Sequence, residues 1–314
     1  MLNIFKNIGF KYPIIQGGMA VRVSTAPLAG AVACAGGVGI IAATGMTIEE
    51  LRREIREARK IAGNGTIGVN VMFAVRNFAE LVKTALQEKV DLVVSGAGFS
   101  RDIFSWGREA GIPILTIVST SRLARIAEKY GAAAVIAEGS EAGGHLGTEL
   151  STREIVPSIK GAVKIPVIAA GGITYESDIV EMMKLGADGV QMATRFVLSR
   201  ECTVADSFKA HYLSAREEDV VIIKSPVGLP GRAIRNVFSD ALARGESPEI
   251  SCDDCLKICS REYCILEALE NSRLGNIDHG VIFSGQNVFK IKEILTVKQI
   301  FENLKGAFAR QVTR

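Results

Sequence analysis

Histidine is nearly missing from this chain of 314 residues: His145, His211 and His279 are the full set, so any imidazole chemistry has three addresses at most. Charge of either sign is not in excess. The 37 Lys and Arg are set against 34 Asp and Glu, a net charge of +3, and outside a basic tail at 305–314 the cations are dispersed among acids. That pattern excludes the electrostatic footprint of a nucleic-acid binder. The start, MLNIFKNIGFKYP, lacks the uninterrupted apolar core and small-residue cleavage site of a secretory signal, and the expectation is a cytoplasmic protein. A GxGxxG dinucleotide fingerprint is also lacking. Between Arg22 and Glu49 there is no charge at all, a run long enough to cross a bilayer. Its punctuation argues otherwise. Ser24, Thr25 and Pro27 read as a helix start, Gly36 and Gly37 as a stop, and VGIIAAT as a buried strand, so no membrane span is expected.

What the chain has in quantity is short apolar runs. With 48% hydrophobic residues it can fill a large core. Eight runs of strand character fall at 13–18 (PIIQGG), 38–44, 67–72 (IGVNVM), 92–98 (LVVSGAG), 113–118, 133–139, 166–172 (PVIAAGG) and 189–196 (GVQMATRF). Helical stretches separate them. Thr47-x-x-Glu50 and Ser151-x-x-Glu154 are capping-box patterns, and Gly111, Gly131 and Gly186 each stand where a helix should stop. Strands that are apolar throughout belong to a parallel sheet covered on both faces. Eight of them alternating with helices predict an α/β fold, a (β/α)8 TIM barrel, with a doubly wound sheet as the alternative.

Either architecture places the ligand site at the carboxyl ends of the strands. Those ends are rich in glycine and small polar residues, which let a backbone approach a ligand and donate to it. AAGGI followed by Thr174, and QMATR after the eighth run, suit a phosphate.

The segments PIIQGGMA, GVGIIAATG, IGVNVM, EGSEAGGHLG, IPVIAAGGI and GADGVQMATRF, in this order over roughly the first two thirds of the chain, resemble the FMN-dependent family of nitronate monooxygenases (2-nitropropane dioxygenases) and type II enoyl-acyl carrier protein reductases. The resemblance implies a TIM barrel with FMN at its mouth. It places the cofactor against Gly17, Gly18 and Met19, with Asn70, Ser95 and Glu138 around the ring and ribityl chain. The phosphate falls to Gly171, Gly172, Ala193 and Thr194, near Gln191 and Met192, and Gly143 and Gly144 complete the set. His145, on the loop after the sixth strand, matches the family's active-site histidine and would exchange a proton beside the flavin. His211 and His279 lie in no such motif.

The barrel rhythm covers 1–200, breaks over 201–280 and returns over 281–314. The middle is expected to be an inserted, mostly helical lid over the flavin, with a helix at 204–215 and a loop VGLPGRAIRNVF. It also holds Cys252-x2-Cys255-x3-Cys259-x4-Cys264, four thiols that could converge on zinc or an iron-sulfur cluster, or stay as half-buried or redox-active thiols. Two activities share the implied site: oxidation of alkyl nitronates with O2 to carbonyl compounds and nitrite, and reduction of an enoyl thioester with NAD(P)H as co-substrate. The cysteine-rich insert tips the balance narrowly to the monooxygenase. A flavin-binding protein without turnover is the third reading. The expected partners are a small-molecule or acyl-thioester substrate, and a homodimer stays open.

Overall fold

The computed structural model describes residues 10–96, 98–246 and 252–309. Eight parallel strands close on themselves: β1 (Ile14–Gln16), β2 (Val38–Ala42), β3 (Thr66–Met72), β4 (Leu92–Gly96), β5 (Ile114–Val118), β6 (Ala134–Glu138), β8 (Val167–Ala170) and β9 (Gly189–Met192). Pairing of Ile14 with Val190 and of Gln16 with Met192 joins the last strand to the first. The barrel is a TIM barrel, as the eight apolar runs predict. Its interior is filled by alternate strand residues such as Ile15, Val38, Ile40, Leu92, Val94, Ile136 and Ile168. The intervening strand residues, Ile41, Val69, Val93 and Val135 among them, pack outward under the helices. Both strand faces are therefore dry, which is why the runs do not alternate.

The charge-free stretch resolves into helix α1 (Ala26–Cys34) and strand β2. Among the described residues no helix is long and apolar enough to cross a membrane. Gly39 lets the two elements meet, since a Cβ there would lie 1.8 Å from the Ala29 carbonyl oxygen. Helix α1 is capped from a distance: the Glu54 carboxylate accepts from Ala26 N–H at 2.8 Å, while Thr25 makes no side-chain cap. Helix α2 (Ile48–Ala62) begins with Thr47 capping Glu50 N–H at 3.1 Å, but Glu50 does not complete the box. Its carboxylate is taken by both Nε and Nη2 of Arg22, at 2.6 and 2.8 Å. After α3 (Phe78–Gln87), helices α4 (Asp102–Ala110) and α5 (Ser121–Tyr130) end on left-handed Gly111 and Gly131. Helix α6 (Thr152–Lys160) has the full Ser151–Glu154 capping box and packs on β8, and α7 (Glu176–Lys184) packs on β9.

Beyond β9 come a short α8 (Thr194–Val197), α9 (Asp206–Ser214), strands β10 (Val220–Lys224) and β11 (Pro230–Ile234), α10 (Val237–Ala243) and α11 (Ile265–Arg273). Helical residues outnumber strand residues here, yet VGLPGRAIRNVF is not a loop: it supplies β11 and the start of α10. Strand β11 pairs antiparallel with β10 and with the two-residue strand β7 (Gly144–His145), placing Gly231 opposite His145. Phe208, Tyr212, Tyr263 and Ile265 belong to the same buried cluster as the barrel's outer layer. Helices α12 (Val297–Leu304) and α13 (Gly306–Ala309) return to the barrel, with Phe301 against Tyr12 and Phe196.

Candidate functional site

The carboxyl ends of the strands open into a two-compartment cavity. The larger compartment is bounded by Gly17, Gly18, Met19, Asn70, Glu138, Gly143, Gly144, His145, Gln191, Ala193 and Thr194, and its outer wall is Phe208, Tyr212, Ile265, Leu266, Leu269 and Phe283. A smaller bay shares Glu138, Gly143, Gln191, Ala193 and Thr194 and adds Gly171, Gly172, Thr174, Met192, Gly285 and Asn287. Every expected cofactor position therefore lines one or both compartments, with one exception. Ser95 is fully buried, its hydroxyl donates to the Gly98 carbonyl at 2.7 Å, and its neighbour Gly96 reaches the cavity instead.

Close packing shapes the floor. A Cβ on Gly18 would stand 2.4 Å from the Cβ of Asn70, so glycine is what lets the first strand's loop lie against the third strand's end. In the bay, Gly171 and Gly172 turn with φ of +109° and +72°, a region that side chains rarely adopt. The bay is closed by the returning chain: Asn287 Nδ2 donates to the Gly172 carbonyl at 2.6 Å and Gly285 N–H donates to Thr194 Oγ1 at 2.9 Å. Ser284, 2% exposed, lines the larger compartment with a hydroxyl that is sealed from solvent and has no partner. An unsatisfied buried hydroxyl costs about 1–3 kcal/mol. A polar ligand group at that point would relieve it, so the bay and Ser284 together fit a phosphate-bearing, polar-edged cofactor.

A carboxyl and an imidazole face this space. Glu138, at the end of β6, has its carboxyl pushed up to about 7 by burial. His145 is pushed down to about 4 by burial, so its ring is neutral at neutral pH. His145 Nε2 lies 2.7 Å from Ser225 Oγ, and its ring meets Phe283 edge-on at 5.1 Å. No lysine or arginine lines either compartment among the described residues. Of the nearby buried cations, Arg195 donates through Nη2 to the carbonyls of Leu198 and Glu293 while its Nε has no partner, and Lys209 donates to the carbonyl of Ser199. His211 and His279 lie outside the cavity.

The cysteine expectation is corrected. Cys252, Cys255, Cys259 and Cys264 are free thiols around a small hollow of their own. Among the described residues no three His, Cys, Asp or Glu side chains are arranged to hold a metal ion. The segment is instead held by backbone docking. Arg76 N–H donates to the Cys255 carbonyl, Lys257 N–H to that of Ala74, and Val75 bridges antiparallel to Leu256, so the chain runs past the loop after β3 as an extended strap. Arg76 reinforces it through Asp254 at 2.9 Å. Cys264 sits at the N-cap position of α11 without a side-chain cap bond, so the thiols do not share a helix either.

Ser225, Ser284, Gly285 and Asn287 carried no motif that would have singled them out. Each is recruited from beyond residue 200, where spacing does not reveal which loops return to the barrel mouth.

A parallel (β/α)8 barrel with a two-part cavity at its carboxyl rim defines a TIM-barrel protein with a ligand site at the usual end, and comparison gives the family. The model of the nitronate monooxygenase family matches residues 3–84 and 58–306, and the chain belongs to that family. It is 31% identical to a probable nitronate monooxygenase of Staphylococcus aureus, over 76% of this chain and 79% of that one. It is 33% identical to the (3aS,4S,5R,7aS)-5-hydroxy-7a-methyl-1-oxo-octahydro-1H-indene-4-carboxyl-CoA dehydrogenase of Mycobacterium tuberculosis, over 76% of this chain. The match spans 67% of that relative and 66% of its Rhodococcus jostii counterpart, about two thirds of their length. Among solved structures, FabK from Thermotoga maritima superposes with a TM-score of 0.89 at 34% identity, covering 99% of this chain and 97% of that one.

Proposed function

We propose that this chain is an FMN-dependent reductase of enoyl thioesters, with NAD(P)H as the source of reducing equivalents. The observation that carries the reading is the character of the outer wall: Phe208, Tyr212, Ile265, Leu266, Leu269 and Phe283 form an apolar face that no lysine or arginine among the described residues joins. A thioester is neutral and brings an apolar acyl chain, so it needs no counter-ion. A nitronate is an anion, and would meet a neutral imidazole and a carboxyl here. The likeness to FabK, of the enoyl-acyl carrier protein reductase class, and to a dehydrogenase that acts on a CoA thioester supports the same substrate chemistry.

FMN when bound supplies hydride transfer, which no side chain can perform. Gly171, Gly172, Ala193 and Thr194 would hold its phosphate, with Asn70, Gln191 and the Ser284 hydroxyl available to its polar edges. Glu138, titrating near neutrality, can hold or release a proton at the junction of the two compartments. His145 is uncharged at neutral pH and interacts with substrate through a hydrogen bond or a proton, not an ion pair. Nitronate oxidation remains the second reading, favoured by the family model and by the Staphylococcus aureus relative.

Anaerobic mixing with NADH, NADPH or an alkyl nitronate decides between them. Bleaching of the flavin by a nicotinamide, followed by reoxidation on adding a crotonyl thioester, is the expected result. Reduction by the nitronate alone, with both nicotinamides inert, would overturn it.

A further inference from the structure

Four cysteines gather in the inserted segment, where nothing in the proposed reaction calls for them. Cys252, Cys255, Cys259 and Cys264 line one hollow of about 20 Å³, room for about one water. Two turns bring them there. Asp254 and Arg261 both adopt left-handed backbone, with φ of +50° and +61°, a region that non-glycine residues seldom occupy. Between them the chain doubles back, so that Arg261 Nη2 comes within 3.6 Å of Asp254 Oδ1. Cys255 directly follows the first turn, on the outgoing arm, and Cys264 lies beyond the second, on the returning one.

The two arms are fixed to different parts of the cavity's surround. On the outgoing arm the Cys255 carbonyl accepts from Arg76 N–H, Lys257 N–H donates to the Ala74 carbonyl, and Lys257 Nζ donates to that of Phe73 at 2.6 Å. Those barrel residues follow directly on Met72, the end of β3, which lines the cavity. On the returning arm Cys264 occupies the N-cap position of α11, and the next residue, Ile265, lines both the hollow and the cavity. The outer wall continues along α11 through Leu266 and Leu269. A covalent link between the arms would therefore tie the barrel rim to that wall.

We propose that Cys255 and Cys264 form a reversible disulfide, and that this bond is a redox switch on the outer wall of the cavity. A low-molecular-weight disulfide such as oxidised glutathione suffices as oxidant. The Cys264 thiolate attacks one of its sulfurs, giving a mixed disulfide and one glutathione thiolate, and the Cys255 thiolate then displaces the second. The protein gives up two electrons and two protons, which leave on two molecules of reduced glutathione. Burial pushes the Cys255 thiol up, which suits it to the second, intramolecular attack rather than to the first. The bond fixes the start of α11 to the strap, so the wall no longer shifts to admit or release a ligand. The phosphate bay shares no residue with the hollow, and the flavin stays bound in both states. The effect on turnover rests on the cavity being the active site, whereas formation of the bond does not.

The test equilibrates the full chain, with its flavin, in mixtures of reduced and oxidised glutathione, followed by alkylation and digestion. Toward the oxidising end, peptide mapping should find Cys255 joined to Cys264. Amide hydrogen exchange over 265–273 should slow in that form, flavin absorbance should persist, and turnover of a crotonyl thioester should fall and return with dithiothreitol. Cys255→Ser and Cys264→Ser should each abolish the change in exchange and the loss of turnover, whereas Cys34→Ser should leave both in place. Where serine at 264 unsettles the helix, Cys255→Ser carries the test alone. A different pairing, no bond in any mixture, or a bond that leaves exchange in α11 unchanged would overturn the proposal. A full equivalent of zinc or iron held by these thiols would overturn it too. The expected bond and exchange change with no thioester turnover in either state would instead sink the proposed substrate and leave the switch standing.

Discussion

Replacing Glu138 by glutamine should make the protein more stable, and increasingly so as pH rises. Glu138 ends β6 and lines both compartments, and the only cause raising its carboxyl to about 7 is burial, with no cation to offset it. An unfolded glutamate titrates near 4.5, so between 4.5 and 7 the native state holds a proton that the unfolded chain has lost. Stability therefore falls as pH increases through that window. At about 1.4 kcal/mol per pKa unit, the cost is about 1 kcal/mol at pH 5 and about 3 kcal/mol at pH 8. Glutamine keeps the shape and removes the titration. His145 has the opposite dependence: its folded value of about 4 lies below the unfolded 6.5, so stability grows as pH rises across that interval. Subtracting wild type from variant cancels that term. Urea unfolding of ligand-free wild type and Glu138→Gln at pH 5 and pH 8 should show the variant's advantage growing by about 2 kcal/mol. An advantage that is constant with pH, or that shrinks toward pH 8, would refute the argument that an uncompensated carboxyl is buried here.

His145→Ala should keep its flavin, because the bay is built from other residues, while turnover of the true substrate falls about a hundredfold; steady-state kinetics at saturating substrate with flavin absorbance is the check. Gly18→Ala should cost about 1–3 kcal/mol from overpacking against Asn70 and impair flavin retention, read by urea unfolding and by the absorbance ratio of the purified protein. Protein prepared without oxygen should contain less than about a tenth of an equivalent of zinc or iron, since four converged thiolates would retain metal tightly; a full equivalent by elemental analysis would mean that the strap rearranges around an ion.

The barrel was legible because its physics is local. Each strand is wet on neither face, so runs such as VGIIA and LVVSG announce themselves without reference to their neighbours, and left-handed glycines at 111 and 131 mark where helices stop. The site's rim was legible for the same reason: Gly17, Gly18, Gly171 and Gly172 sit at strand ends. What failed depends on partners far along the chain. Thr47-x-x-Glu50 is only half a box because Arg22 takes the Glu50 carboxylate. Ser95 is the local exception: its hydroxyl turns to the Gly98 carbonyl three residues on and leaves the cavity to Gly96. Pro230 and Gly231 fall in a stretch that reads as a loop, yet they begin β11, where Gly231 is needed because a Cβ would press on the Phe283 ring at 2.7 Å. The cysteines cluster in sequence and also share one hollow, yet among the described residues they form no group arranged to hold a metal ion.

The antiparallel pairing of Gly144 and His145 with Arg232 and Gly231 has a consequence for how such proteins diversify. The imidazole is anchored less by the barrel that carries it than by the segment that walls the substrate pocket. Exchanging that segment between relatives to alter substrate choice would unstitch the histidine along with it. A successful chimera must therefore transfer the β7 loop together with β10 and β11, so reactivity and selectivity are inherited here as one block.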